Sequence, residues 1–521
     1  MRARFIVVAA VLSGLTVSPA LAVPGPDSVV VVGNASDADS VALAERYVAA
    51  RAVPRTQLCL LPLPDVVDLS LDDYRTLFQQ PLEECLSRGV MDRVDTVLLV
   101  RGVPLRVAIP TPEGEERVSL AAALMLWRSL TLDGEPLLGL PPGDVANCGG
   151  TPCVAAHWRN PYRSGAFESG WYRETQGVAW QPVLVTMLHG RSYAEAGLLL
   201  DSALDAEAKG RGDGEFLLMD GADPARGALD STYDDVIAGL QARGHPAGRV
   251  PFSSELTGRT LAAFFTGTAS LGTTIEGNTF APGALVDNLT SFGAVPENFT
   301  ATTETQVSVA RWIARGAAGI HGTTDEPLNN CFPARALILD YVDGYTLAEA
   351  FHRNLPYAYW RNLVLGDPMA APYANRPEVT LEVSLACAGG AASAHLRASV
   401  SDGDVESLTV LVDGAVSRVT TEQALELDLP GQPAQVLVVA QRRDDGTPAG
   451  GPRSKGWAAH QITTEALGAA CTASEPAPQP EQTARGSGCA SVGPAAWGVL
   501  VCLAALRRRR GVPESPRSQA A

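Results

Sequence analysis

Positive charge is scarce in this sequence. Lys and Arg number 40 against 57 Asp and Glu, a formal net charge of −17 over 521 residues. Tracking a nucleic-acid backbone needs clustered Lys and Arg, and the one dense basic cluster is Arg507–Arg510, so no nucleic-acid partner is expected. The phosphate-cradling patterns GxxxxGK[ST] and GxGxxG are missing. Metal-ligand spacing is missing too. His157 and His189 have no i+4 histidine, "CGGTPC" at 148–153 is not Cys-x-x-Cys, and "DSTYDDV", with Asp230, Asp234 and Asp235, lacks the EF-hand pattern. Neither a metal nor another cofactor is expected, and Asp230 reads as the cap of the helix that follows it.

Apolar residues make up 46% of the chain, enough for large cores, and the length suggests two or three domains. The N-terminus "MRARFIVVAAVLSGLTVSPALAVPGP" carries Arg2 and Arg4, an apolar stretch from Phe5 and a small-x-small step at Ala20-Leu21-Ala22. Residues 1–22 read as a secretory signal peptide cut after Ala22, with an uncleaved anchor helix as the alternative. Export makes disulfides possible. Of nine cysteines, Cys59 with Cys85, Cys148 with Cys153, and Cys387 with Cys471 are candidate pairs, and Cys331 is left over. Spacing does not fix the connectivity.

Residues 23–375 read as one α/β unit. Runs such as "SVVVVVG", "VDTVLLV", "PVLVTML", "GEFLLMD" and "RTLAAFFTG" alternate with helical spacing in "DADSVALAERYVAARAV", "YAEAGLLLDSALDAEAKG" and "TYDDVIAGLQARG". Continuous apolar strands between amphipathic helices predict a mostly parallel sheet covered by helices on both faces. "SLDDYRTLFQQPLEECLSRG" predicts a helix capped by Ser70, stopped near Gly89 and kinked at Pro81. From Pro372 the texture changes. Residues 376–472 read as short strands punctuated by Gly, Asp and Pro, a small all-β sandwich, with a minor helical reading at Thr463–Ala470. Residues 473–488 are a Pro- and Glu-rich linker, 489–510 hold a cysteine, an oily run and the arginines, and 511–521 form a tail.

Resemblance adds to this reading. "VVVVVGNASDADSVALAERYVAARAVP", "VLLVRGVPLRV", "NPY" at Asn160 and "VLGDPMAAPY" at Val364 together resemble an uncharacterised family of exported bacterial proteins that occurs alongside exosortase-type sorting. The likeness covers roughly residues 28–373. The sequence departs from that family at "SLAAAL" after Ser119, where the family tends to show Ser-x-Asp, and at Met187–Gly190, where it tends to show Arg-Leu-Asp-Gly. The "NLVLGDP" ending at Asn362–Pro368, after "GAAGIHG", is similar to the close of the caspase- and gingipain-type α/β fold. That resemblance implies a His at one strand end and a Cys at the next. The matching ends here, "AAFFTGTASLG" and "GALVDNLTSFG", offer Thr266, Gly267, Thr268 and Ser291, without imidazole or thiol. "VSDGDVESLTVLVDG" looks similar to the immunoglobulin-like modules of bacterial surface proteins.

The sharpest remaining constellation is "SVARWIARGAAGIHGTTDEPLNNC" at 308–331. His321 sits at a predicted strand end, the usual side for ligands in open α/β sheets. With Ser291 on a neighbouring strand, Ser291, His321 and Asp325 define a candidate hydrolytic triad. Cys331, just before a helix that could start at Pro333, is the alternative nucleophile. The competing reading makes His321 a partner of loop carbonyls, the acids turn-formers and Cys331 a packed core residue. Arg101, at the end of "VLLVRG", is read either as a clamp for an acidic group at the sheet mouth or as a structural pair. Asp367, in Gly366-Asp367-Pro368, is read as a turn scaffold.

The tail completes the picture. Residues 490–506 are 17 apolar-rich positions, at the low edge for a spanning helix, and Arg507, Arg508, Arg509 and Arg510 would stay cytoplasmic. Preceded by Gly488-Cys489, these parts resemble the tripartite C-terminal sorting signal of myxobacterial surface proteins, the MYXO-CTERM type. The resemblance implies processing at or near Cys489 by envelope sorting machinery, with a permanent membrane anchor as the alternative. The expectation is an exported cell-envelope protein, anchored in the inner membrane before processing. Its role would be surface binding or assembly on a non-catalytic caspase-like scaffold. The alternative is a peptidase or esterase using Ser291 or Cys331 with His321.

Overall fold

A computed structural model describes residues 23–111, 114–127, 160, 162, 183–209, 213–300, 304–357, 360–388, 391–401, 405–429, 431–443 and 452–473. The expectations for Ala22, Cys148, Cys153, His157, Cys489 and Arg507–Arg510 lie outside the described residues.

In chain order the first strands are β1 (Val29–Asn34), β2 (Leu58–Leu61), β3 (Asp68–Ser70), β4 (Thr96–Val100), β5 (Arg106–Thr111), β6 (Gly114–Ser119) and β7 (Leu184–Leu188). They continue as β8 (Glu215–Met219), β9 (Ala247–Val250), β10 (Thr260–Thr266), β11 (Thr279–Asn288), β12 (Gly319–Thr323) and β13 (Asn362–Gly366). Ten of them build one sheet in the order β2-β1-β4-β7-β13-β12-β11-β10-β8-β9. The neighbouring pairs are parallel except β12 with β13, which is antiparallel. The expected α/β class with a large, mostly parallel sheet is therefore what the chain forms. β3, β5 and β6 make a small separate sheet.

Apolar runs became strands because both faces are covered: every residue of β1, β4, β7 and β13 is buried. Helices α1 (Ala38–Arg51), α2 (Tyr193–Lys209), α3 (Tyr233–Ala242), α4 (Leu337–Asp343) and α5 (Leu347–Asn354) supply the cover. Alternation along the strands divides the core. Phe216, Leu218, Ala263 and Phe265 pack with Tyr233, Val236 and Leu337, whereas Leu217, Met219 and Phe264 join Leu199 and Trp312. The period of two sends successive side chains to opposite faces, so helices lie on both.

The predicted helix after Ser70 differs in detail. Ser70 does cap it, its Oγ accepting from the Asp73 N–H at 3.0 Å. The segment then widens into a π turn at Tyr74–Gln79 and ends at Cys85, short of Gly89. Pro81 has no N–H to donate four residues back, and a widened turn just ahead of it is one way a helix accommodates that. Cys85 is bonded to Cys59 of β2, which pins this end to the sheet.

Beyond Arg376 the strands are β14 (Val379–Ala388), β15 (Ala391–Val400), β16 (Val405–Val412), β17 (Ala415–Thr420), β18 (Ala424–Leu429), β19 (Gln435–Arg442) and β20 (Lys455–Gln461). They form two antiparallel sheets, β14-β15-β18 and β17-β16-β19-β20. One core of Ala394, Leu396 and Ala398 against Leu408, Val410, Val436 and Val438 joins them. The minor helical reading at its end is the one realised, as α6 (Thr464–Ala473). Thr463 caps it, its Oγ1 accepting from the Ala466 N–H at 3.1 Å, and Cys471 is bonded to Cys387. Lys455 fastens β20 to the first strand's approach: its Nζ lies 3.1 Å from Asp27 Oδ1 and 3.2 Å from Ser28 Oγ.

Candidate functional site

His321 does not stand at an open strand end. It lies within β12, is fully buried, and both ring nitrogens are engaged. Nδ1 is 3.2 Å from Asp287 Oδ1 of β11, and Nε2 is 2.9 Å from the Asn362 side chain of β13. Asp287 also receives the guanidinium of Arg335, which donates on to the Thr266 carbonyl of β10 at 2.9 Å. The Phe332 ring meets the imidazole edge-on at 5.2 Å. Burial pushes His321 down to about 4, with the bond to Asn362 working the other way, so the ring is neutral at pH 7. A neutral ring donates once. Its one ring proton goes to Asp287 through Nδ1 or to Asn362 Oδ1 through Nε2. Asn362 Nδ2 has no hydrogen-bond partner.

The residues expected to work with His321 point elsewhere. Ser291 is half-buried and its hydroxyl donates to Glu326 at 2.8 Å. Asp325 accepts from the Glu326 N–H at 2.8 Å, a turn contact. Cys331 is buried in the core cluster and not disulfide-bonded. The structure thus brings His321 together with Asp287, Asn362 and Arg335, and gives Ser291 a different partner. Asp287, which sequence reasoning missed, was hidden inside "GALVDN" as one polar letter in a strand. Among the described residues no group of three His, Cys, Asp or Glu could hold a metal ion.

Two turn acids separate. Asp367 is fully buried and takes the Tyr47 hydroxyl at 2.7 Å, Arg51 Nε at 2.7 Å and the Met369 N–H at 3.0 Å. Its expected scaffold role extends to gripping α1. Asp230 does not cap α3. Its Oδ2 accepts from the Gly221 N–H at 2.8 Å, because a 3-10 turn at Asp230–Thr232 intervenes before the helix.

An open site lies instead at the carboxyl ends of β1, β4 and β7. After β1 the chain crosses to β2 on one flank, then returns to place β4 on the other. Such a switch point leaves a crevice outside the strand ends. A cavity of about 310 Å³ opens there. Asn34, ending β1, ties the neighbouring loops together. Its Nδ2 donates to the Gly102 carbonyl at 3.0 Å and its Oδ1 accepts from the N–H groups of Ser36 and Leu63 at 2.9 and 3.1 Å. Ser40 Oγ donates to the Arg101 carbonyl at 2.6 Å. Gly102 has φ +99°, and a Cβ there would come within 2.8 Å of Ser40, so the close approach requires glycine.

Arg101, His189, Asp37 and Tyr193 line this cavity. Arg101 donates to the Gly190 carbonyl, lies 3.5 Å from His189 Nε2 and stacks over the Tyr193 ring at 5.4 Å. Among the described residues no carboxylate forms an ion pair with it. Burial and the Arg101 charge push His189 down to about 3. Burial pushes the Asp37 carboxyl up, but bonds from Tyr193 and the N–H groups of Ser40 and Asp39, with Arg101 nearby, bring it below the usual carboxylate range. The Tyr193 hydroxyl is the donor to Asp37, and burial and that carboxylate raise it. Sequence reasoning flagged Arg101 alone. The four come from separate strand ends and the start of α2, and only topology unites them.

No protein-family model matches the chain, and no curated protein matches it.

Proposed function

We propose that this is an exported cell-envelope protein whose α/β part, a caspase- or gingipain-like scaffold without its dyad, binds a ligand or partner rather than hydrolysing one. An immunoglobulin-like sandwich then spaces it from a C-terminal sorting signal. The observation that carries the non-catalytic reading is the commitment of both His321 ring nitrogens inside the core, which leaves Ser291 without the imidazole base of a triad, its hydroxyl bonded instead to the exposed Glu326. The two disulfides support an oxidising compartment. Among the described residues no helix is long and apolar enough to cross a membrane; the membrane-contacting part of this reading rests on residues 489–510.

The test uses fluorophosphonate and iodoacetamide probes on the full chain, with Ser291→Ala and Cys331→Ala as controls. No specific labelling is expected. Labelling abolished by either substitution would establish the hydrolase instead. For export, mass spectrometry of the surface form should find a chain beginning at Val23 and lacking Arg507–Arg510. An intact arginine segment there would reject C-terminal processing.

A further inference from the structure

We propose that the cavity at the ends of β1, β4 and β7 binds a small monocarboxylate with an apolar body, its carboxylate held by Arg101 and its body against Val66, Val67 and Phe299. This rests on the reading of the α/β part as a binder and names its ligand class.

Three observations carry it. Arg101 is half-buried, and its hydrogen-bonding and stacking partners among the described residues are neutral: the Gly190 carbonyl, the His189 ring and the Tyr193 face. Asp37 feels its charge but forms no ion pair with it. The other partly buried arginines nearby are satisfied by acids, as Arg106 is by Asp68 and Arg191 by Glu304. A planar guanidinium with donors to spare in a cavity matches a carboxylate in geometry and charge.

His189 supplies the second. It is 6% exposed, lines the same cavity, and its Nδ1 has no hydrogen-bond partner. Nε2 faces the Arg101 guanidinium, which can only donate. Nε2 is therefore the acceptor and Nδ1 carries the ring proton. A buried donor without an acceptor is a standing cost, relieved when a ligand oxygen arrives.

The third is the mouth. Among the described residues Val66 and Val67 are two of the few large apolar side chains left exposed, at 45% and 42%, and they line the same cavity. Phe299, from the segment after β11, also lines the cavity and packs edge-on against His189 at 4.3 Å. About 310 Å³ suits a ligand near the small end of the usual range. Asp37 and Asp65 line the same cavity, so a second negative charge is repelled. This favours a monocarboxylate over a phosphate dianion.

The experiment titrates the full chain, in mild detergent, with 4-methylpentanoate, 4-methylpentanamide and inorganic phosphate. It is read by calorimetry and by the ¹⁵N shifts of the His189 ring. The carboxylate should bind, move the His189 signals, and bind at least tenfold more tightly than the amide or phosphate. Arg101→Gln should lose at least tenfold for the carboxylate and leave the amide unchanged, with Arg101→Lys between. Equal binding of acid and amide, tighter binding of phosphate, or no His189 shift at millimolar carboxylate each overturns the proposal. The wild-type ring signals decide this even if a variant folds poorly. A failed titration without probe labelling of Ser291 or Cys331 removes only the ligand class, whereas labelling removes the binding reading itself.

Discussion

Two polar centres on one sheet use the same residue types to opposite ends. At β11–β13, His321, Asp287, Asn362 and Arg335 sit at 0–6% exposure and bond to one another. At β1, β4 and β7, His189, Asp37 and Arg101 line a cavity, and among the described residues no acid forms an ion pair with the arginine. Both histidines are held neutral by burial, to about 4 and about 3. A depressed imidazole therefore does not separate structure from function here. Position does. The first centre lies inside the sheet, where even the unpartnered Arg335 Nε and Asn362 Nδ2 line none of the described cavities, while the unspent donor of His189 belongs to a residue that lines one.

The largest effect should come from unbalancing the closed centre. Asp287→Ala leaves the Arg335 guanidinium buried without its counter-charge, at a cost of about 3–5 kcal/mol. Arg101→Met, which strands no buried acid, should cost under about 1 kcal/mol. Urea unfolding midpoints compare them. Equal losses would mean that Arg101 is a structural residue and that the contrast between the centres is false.

The histidines offer a second contrast with a pH signature. His321→Leu leaves Asp287 and Asn362 short of a partner and should cost about 2–3 kcal/mol at pH 7. His189→Leu gives up one contact at 3.5 Å and should cost under about 1 kcal/mol. In the unfolded chain each imidazole protonates near 6.5. The folded ones wait until about 4 and about 3. The unfolded state thus binds more protons between those values, and stability falls as pH drops through that window, by about 1.4 kcal/mol per pH unit per histidine. Asp95 and Glu349, raised mainly by burial to about 6 and about 7, act in the opposite sense. Folded, they hold a proton that the unfolded chain has released, so their contribution improves as pH falls toward 4. Both leucine variants keep those acids and lose one histidine. His189→Leu, slightly weaker than wild type at pH 7, should match or exceed it at pH 5. Parallel pH curves for variant and wild type would show that His189 is charged in the fold.

These centres also mark where sequence ran out. The β-branched runs ending at Gly33, Arg101 and His189 announced strands, because a strand buried on both faces has no polar alternation to blur. Two cysteine pairings, Cys59–Cys85 and Cys387–Cys471, were open possibilities that the fold realises. Strand order was not legible, since a run such as "VDTVLLV" carries no mark of its neighbour. His321 was visible as a histidine in "AGIHG", but Asp287 lies 34 residues upstream of it and Asn362 lies 41 downstream. The antiparallel β12–β13 pair that brings Asn362 to it is a long-range event. Arg101 was suspected for the same local reason that any charged residue after an apolar run is. What freed it from a structural role is that no described acid forms an ion pair with it, although Asp37 lies near enough to feel its charge, and only the packed chain reveals that.

Ser291 gives the smallest expected effect and the cleanest division between the two readings. Its hydroxyl reaches Glu326, an exposed acid, at 2.8 Å. The firmer contact at this position is from Thr323 Oγ1 to the Ser291 backbone carbonyl at 2.7 Å, which survives truncation. Ser291→Ala should therefore change stability by no more than about 0.5 kcal/mol. Carboxylate affinity at the β1–β4–β7 cavity should stay within twofold, since the serine is not among the residues that line it. A marked loss of stability would mean that the Glu326 bond closes a loop over the sheet mouth. A loss of carboxylate affinity with stability intact would mean that the two strand-end regions act on one ligand, and the line drawn between a closed centre and an open one would have to be moved to include Ser291.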